Sequence, residues 1–383
     1  MGPHHPSTHG VLRLILELDG ETVVNATPDI GYLHTGIEKT AESLMWQQAL
    51  TVTDRMDYLA PLSNNLGYTL AVEKLLGVEA PPRAACIRVL LTELQRIASH
   101  LVWVGTQGMD LGAVSVFLYA IRERERLLDI FELCSGARMM GSYFWIGGLL
   151  RDVPPPFEQA VQEIIDDFPA KFDEYETLLT NNPIFRERTE NVGVMTADEA
   201  IALGCGGATL RGSGVDWDLR RDMPYGTYDQ YNFEVPLGKH GDVFDRYLCR
   251  VREFRQSLSI VQQALARLKQ MPGEPVRIND RKIVPPPREE LATSMEALIH
   301  HFKFFTEGIK PPPGEAYQAI ESPKGEFGVY VVSDGTARPV RCHFRGPSFV
   351  NLQALAHMVK GRYIADVISC IASIDIVLGE VDR

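Results

Sequence analysis

Nothing in the 383 residues approaches the roughly 18–20 consecutive apolar side chains that a helix needs to cross a bilayer. The most suspicious stretch, Tyr143–Leu150 (YFWIGGLL), is short and broken by glycine. No basic segment followed by an apolar one marks a secretory signal at the N-terminus. Positive charge is also scarce. Lys plus Arg number 38 against 50 Asp plus Glu, a net charge of −12, which argues against a general nucleic-acid binder. The six cysteines (Cys86, Cys134, Cys205, Cys249, Cys342 and Cys370) include no C-x-x-C and no close pair. That scatter fits reduced thiols better than a disulfide frame, a zinc site or an iron–sulfur site. The glycine-rich LGCGGATLRGSG stretch lacks the spacing of a dinucleotide fingerprint or a phosphate loop, so nucleotide binding is not expected. G-x-S-x-G and H-E-x-x-H are missing too, which removes two hydrolase readings.

What is present is ordinary for a globular protein: 45% hydrophobic and 23% charged residues, with 32 Gly and 24 Pro. Leu12, Leu14, Leu16 and Leu18 alternate before Asp19-Gly20, a pattern that predicts a half-buried hairpin. From about residue 36 to residue 134 the period becomes helical. Pro81-Pro82 suits a helix start, and Gly77 and Gly105 suit helix ends. Further helices are expected over 157–179, 242–269 and 291–308, with strands at 326–334 and 338–344 and irregular structure over 204–240. The expected fold class is α+β: a mainly helical core bundle with small β elements at the N- and C-terminal ends. The corresponding division is an N-terminal loop and hairpin at 1–35, a helical core at 36–310 and a mixed C-terminal segment at 311–383.

The chain has several polar clusters. HHPSTHG, residues 4–10, places His5 and His9 at a metal-like spacing, but that spacing needs a helix, which Pro6 opposes. A turn stapled by the Ser7 and Thr8 hydroxyls, or a loop that presents imidazoles to a ligand, remain the other readings. TDRMDYL, residues 53–59, gathers Arg55, Asp57 and Tyr58 at an expected helix start, where a buried, satisfied tyrosine is the plainer reading. Asp110 sits between glycines at a helix boundary, where a cap is the plain explanation. Glu93, Arg96 and His100 share one helix face, as a structural polar network would. IRERER at 121–126 reads as a solvated or partner-facing strip, and PREE at 287–290 as the acidic first turn of a helix.

These segments also form an ordered set. GPHHPSTHGVLRL, GYLHTGIEK, RMDYL, AVEKLLGVEAPPRA, GSGVDWDLR, GDVFDRYL, SMEALIHHFK, SPKGEFGVYVVSDG, PSFVNLQAL and the final GEVDR run from residue 2 to residue 383. Together they resemble the family of large catalytic-core subunits, the D-type subunits, of NADH:quinone oxidoreductase, respiratory complex I. That family is in turn similar to the large subunit of nickel–iron hydrogenases, which carries nickel on two C-x-x-C pairs. Here the matching positions are Asp57 and Ala60 in RMDYLA and Val377 and Glu380 in DIVLGEVDR. With no thiolate at any of the four, nickel chemistry is not expected and the vacated pocket is free for an organic substrate.

The resemblance implies a quinone substrate whose headgroup is bound by His9 and Tyr58, with Asp110 orienting the histidine. It implies no cofactor held by this chain, and electrons arriving from a [4Fe-4S] cluster in an adjacent subunit, with Arg55 and Met140 close to that cluster. It also implies the partners: the cluster-bearing subunit, the small subunit next to it, and the membrane subunit at the quinone entrance, with no nucleic acid. The expected location is peripheral, on the cytoplasmic side of a bacterial cell membrane, and the expected activity is a proton-translocating NADH:quinone oxidoreductase, exerted only within the complex. Two departures qualify the match. RMMGSYFW at 138–145 puts Met140 where the family has a histidine and Trp145 where it has an arginine, which implies a lower and less pH-dependent cluster potential. Relatives also carry a strand upstream of the histidine loop, whereas Met1 here stands at the loop's edge. The alternatives are a hydrogenase-type or ferredoxin-linked oxidoreductase subunit, or a scaffold with a degenerate site.

Overall fold

The structure, a computed structural model, describes residues 1–2 and 10–383. Strands Arg13–Asp19 and Thr22–Asp29 form the antiparallel hairpin that the leucine alternation predicts. Leu12 and Leu14 are buried, but the register shifts between Glu17 and Leu18, and Leu18 turns out to solvent. A bulge breaks the alternation there.

The core is helical. Pro61–Leu76, Pro82–Asp110, Val114–Ser135, Phe157–Tyr175 and Val243–Leu268 carry apolar residues that meet in one large cluster, to which Phe157–Tyr175 contributes Val161, Ile164, Phe168 and Phe172. Pro61 and Pro82 open their helices, where a missing N–H costs nothing, and Gly77 closes the first in a left-handed conformation. Asp242 caps Val243–Leu268 by accepting the N–H of Asp245 at 2.8 Å. Phe157–Tyr175 continues into a wider turn at Glu176–Thr180, so the expected 157–179 helix is present. The 291–308 helix is shorter, Met295–Thr306, with a single tighter turn at Arg288–Ala292 before it.

Gly105 does not end a helix. Pro82–Asp110 runs on through it, because Gly105 lies where the neighbouring helix crosses: a Cβ there would stand 3.1 Å from the Cα of Phe117. Small residues bring the two backbones together. IRERER is likewise only partly a surface strip, since Glu123 and Arg124 are buried.

The C-terminal part builds a three-stranded antiparallel sheet, Gly314–Ser322, Gly325–Ser333 and Arg341–Arg345, of which the first strand was unexpected. The 204–240 region contains two short helices, Gly207–Gly212 and Leu219–Asp222. The fold is α+β, as expected. A second apolar cluster joins Leu12, Leu14, Val23 and Ala26 of the first hairpin to Leu352, Leu355, Met358, Ile371 and Ile374 near the chain's end. Both ends of the sequence are thereby brought to one side of the bundle. All six cysteines are buried and unpaired by disulfides. Burial pushes the Cys205 and Cys249 thiols up to about 11, so they stay protonated.

Candidate functional site

The RMDYLA segment begins where helix Trp46–Thr53 ends and lies in a turn that leads to Pro61–Leu76, rather than at a helix start. Asp57 folds back on this turn: its Oδ1 accepts the N–H groups of Leu59 at 3.0 Å and Ala60 at 3.3 Å. Its side chain is thus fixed inward, and only 1% of Asp57 is exposed. Tyr58 is half-buried beside it.

GEVDR packs directly on this turn. Gly379, in helix Leu378–Asp382, leaves so little room that a Cβ would sit 2.6 Å from the carbonyl oxygen of Met56 and 3.4 Å from Cε1 of Tyr58. Any side chain at 379 would push the two segments apart. The positions matching the two cysteine pairs of the hydrogenases are therefore neighbours in space as well as by analogy. The charge of Asp57 bears on Glu380 there, and Lys324 acts on both.

Lys324 occupies, with Pro323, the two-residue loop between strands Gly314–Ser322 and Gly325–Ser333. A lysine at a hairpin tip is ordinarily solvated, but this one is 0% exposed. The tip is held by Asn351, whose amide donates to the Lys324 carbonyl at 3.0 Å and whose carbonyl oxygen accepts the Gly206 N–H at 2.9 Å. The Gly206-Gly207 backbone lies against Gly325: a Cβ on Gly207, which also has φ +62°, would stand 2.6 Å from the Gly325 Cα. The glycine-rich stretch thus serves close backbone packing. The ammonium is delivered into the interior, 3.4 Å from Asp57 Oδ2 and 3.5 Å from Asp375 Oδ2, donating to Ser99 Oγ at 2.8 Å. Burial alone would lower the lysine's pKa, but the negative charges of Asp375, Asp57 and Glu380 more than reverse this and raise it.

The surrounding charges explain the protonation of the site. Burial raises Asp57 above its ordinary value, with Lys324 opposing and Asp375 adding to the rise. Burial, then the negative charge of Asp57, keeps the Tyr58 phenol protonated well past neutrality. A neutral O–H beside a carboxylate can donate a hydrogen bond or a proton outward. Glu380 is 0% exposed and is pushed up to about 7, first by burial and then by Asp57, although its Oε2 accepts the Ser348 N–H at 3.0 Å.

A second locus lies on the other side of the 55–60 turn. Asp54 Oδ2 accepts both the backbone N–H and the hydroxyl of Ser142 at 2.8 Å, which ties the turn to the 138–145 segment. Exposed Arg55 and half-buried Met140 each lie within two residues of this tie. Met140 and Ser142 have φ of 53° and 42°, a region that non-glycine residues rarely adopt. The neighbouring strand is pinned by the buried pair Arg88 and Glu73, 2.7 Å apart, with Arg88 also donating to the carbonyls of Trp145 and Gly148.

Of the residues that the resemblance singles out, Arg55 and Tyr58 lie on one turn, and the segment of Met140 is tied to that turn through Asp54 and Ser142. Asp110 does lie at a helix boundary: it is the last residue of Pro82–Asp110 and half-buried. His9, with His5, lies outside the described residues. Lys324 and Asp375 are not singled out by the sequence, although both stand inside segments, SPKGEFG and DIVLGEVDR, on which the family resemblance is drawn. Glu93, Arg96 and His100 join Arg220, Arg211 and Glu253 in a buried ion network, with Glu93 and Arg220 3.2 Å apart and His100 Nε2 3.2 Å from Glu253. Among the described residues, no group of three or more His, Cys, Asp or Glu side chains is arranged to hold a metal ion.

Comparison with known proteins settles the family. Residues 110–383 match the family described as respiratory-chain NADH dehydrogenase, 49 Kd subunit. The chain belongs to this family. Over all 383 residues it is 64% identical to the second D-type subunit of the NADH-quinone oxidoreductase of Chloroflexus aurantiacus, covering 93% of that protein. It is 62% identical to the corresponding second D-type subunit of Roseiflexus sp., covering 92% of it, and 56% identical to the D-type subunit of Citrifermentans bemidjiense, covering 98%. The family is that of a complex I oxidoreductase component. Among the described residues, no helix is long and apolar enough to cross a membrane.

Proposed function

We propose that this chain is the quinone-reducing core subunit of a proton-translocating NADH-quinone oxidoreductase, and that Tyr58 is one of its two headgroup donors. The observation that carries the reading is the junction of the 55–60 turn with Leu378–Asp382. A protonated, half-buried phenol stands there, where the thiolate positions of a hydrogenase are filled by Asp57, Ala60, Val377 and Glu380.

A quinone takes two electrons and two protons to become a quinol. Tyr58 donates a hydrogen bond to one carbonyl oxygen and stabilises the negative charge that develops as electrons arrive. His9 is the proposed donor to the other, with Asp110 orienting its ring. Electrons come from a [4Fe-4S] cluster of a neighbouring subunit, approached by Arg55 and Met140 on the opposite side of the turn. A fixed cation at Arg55 favours the reduced cluster. The partners are that cluster-bearing subunit, the small subunit beside it, and a membrane subunit through which quinone enters. The chain sits peripherally on the cytoplasmic side. Proton loss from the site changes its charge and supplies a trigger for proton translocation elsewhere in the complex.

The test is Tyr58→Phe in the assembled complex. Quinone reduction falls about 100-fold or more, the ordinary contribution of a positioned acid, while electron input from NADH to a water-soluble acceptor is kept. Full quinone reduction by the variant would favour a scaffold role. A hydrogenase-type role requires a metal, so stoichiometric nickel in the purified complex would overturn the proposal.

A further inference from the structure

Three buried carboxyl groups, Asp57, Asp375 and Glu380, converge around Lys324 behind Tyr58. Arg250 adds a second cation on the Asp375 side, anchored by donation to the carbonyls of Ser373 and Ile374, but Glu253 draws on its charge as well. With all three carboxyl groups ionised, the enclosure holds surplus negative charge away from water, an arrangement that proteins relieve by binding a proton.

The three carboxyl groups are not equally compensated. Asp57 has two backbone donors on one oxygen and the lysine beside the other. Asp375 faces both Lys324 and Arg250. Each of the three has a buried oxygen without a hydrogen bond among the described residues: Asp57 Oδ2, Asp375 Oδ2 and Glu380 Oε1. The first two lie 3.4 and 3.5 Å from the Lys324 ammonium, whereas Glu380, with one N–H from Ser348 on Oε2, forms no ion pair among the described residues. It is the least compensated of the three.

We infer that Glu380 holds a proton at neutral pH and is the internal store that re-protonates Tyr58 after the phenol has given its proton to quinone. This rests on the reading of Tyr58 given above. The quinone accepts two electrons from the iron–sulfur centre of the neighbouring subunit, and the Tyr58 O–H bond breaks as its proton moves to one quinone oxygen. The second proton comes from the other donor, proposed to be His9. The Glu380 O–H bond then breaks, its proton restores the tyrosine, and the carboxylate left behind is stabilised by Lys324. Solvent protons reload Glu380. Gly379 leaves no room for a Cβ against the turn that bears Tyr58, so store and acid stand on closely packed segments.

The titratable groups on the elements around Glu380 are Arg55, Asp57 and Tyr58 on the turn, Lys324 on the hairpin tip, Asp375 before the helix, Asp382 and Arg383 after it, His34 on the loop that Asp382 holds, and His100 beside Ser99. The value of about 7 for Glu380 agrees with the store being loaded on the acid side of neutrality.

The experiment is infrared spectroscopy of the oxidised, assembled complex carrying isotope-labelled glutamate, with and without Glu380→Gln. A free-acid carbonyl band that titrates near pH 7 and vanishes in the variant is expected. The same variant should lower quinone reduction by about 10–100-fold and flatten the decline in rate that the wild type shows above pH 7. If Glu380→Gln does not assemble, Glu380→Asp should shift the band instead. A band that neither variant affects would overturn the inference, and so would an unchanged pH profile. Because the band is read without turnover, its presence alongside a fully active Tyr58→Phe complex would refute the quinone role of Tyr58, not the proton on Glu380.

Discussion

Asp54 and Ser142, 88 positions apart, share two hydrogen bonds of 2.8 Å, and the Asp54 carboxyl group that accepts them is almost wholly buried. Its pKa is raised to about 6, first by burial, against the opposing effects of Ser142 and Arg55. A carboxyl group raised in this way binds its proton more tightly in the folded than in the unfolded chain. Stability therefore falls as pH climbs from about 3.8 to about 6, then levels off. At roughly 1.4 kcal/mol for each tenfold change in proton affinity, the fall is about 3 kcal/mol. Asp54→Asn keeps an acceptor for Ser142 and removes the titration. Chemical denaturation of the full chain at pH 4 and pH 7 should show the variant gaining on the wild type by about that amount; an equal pH dependence would contradict it.

The buried ammonium of Lys324 gives a second expectation. Lys324→Met leaves Asp57 and Asp375 without their shared cation, and removing one partner of a buried ion group costs about 3–5 kcal/mol. The deficit should shrink at low pH, where the carboxyl groups can take up protons. Denaturation midpoints at pH 5 and pH 8 measure it.

Gly379→Ala introduces a methyl group 2.6 Å from the Met56 carbonyl oxygen, and backbone must move to admit it. Strain of this kind costs about 1–3 kcal/mol. Because the contact is with the turn that bears Tyr58, quinone reduction should fall further than the stability loss explains. Comparing the assembled fraction with its specific activity separates the two effects.

Met140 neither titrates nor donates a hydrogen bond. Met140→His is expected to raise the potential of the neighbouring iron–sulfur centre and make it fall with rising pH. The φ of 53° at this position is better tolerated by histidine than by most residues. Potentiometric titration of the complex at two pH values is the measurement, and a steep pH slope already present in the wild type would refute it.

The helical core was legible because long amphipathic segments and their prolines state their own period, as in Val243–Leu268. Gly105 misled because a glycine that ends a helix and a glycine that lets another helix cross look alike in one dimension. Tyr58 and Asp57 are singled out by the motif that carries the family resemblance, and the structure puts both on one turn. Lys324 could not be placed in the site, since nothing local says that a hairpin tip is inserted into the interior. Its burial depends on Asn351 and Gly206, residues far away in the sequence. Strand Gly314–Ser322 was missed for a related reason: GEAYQAIES has few β-branched residues, and its pairing with Gly325–Ser333 supplies what its composition does not.

Asp382 accepts the N–H groups of Gly31 and Leu33, at 2.8 and 2.6 Å, and its carbonyl oxygen meets His34 Nδ1 at 2.7 Å. A ribosome making this protein delivers that anchor about 350 codons after the loop it secures. The turn with Tyr58 likewise lacks its packing partner until GEVDR, more than 300 residues later, has been made. The turn that bears Tyr58 and the loop at Gly31–His34 therefore depend on one distant segment for their packing, so neither can reach its final arrangement before that segment has been made.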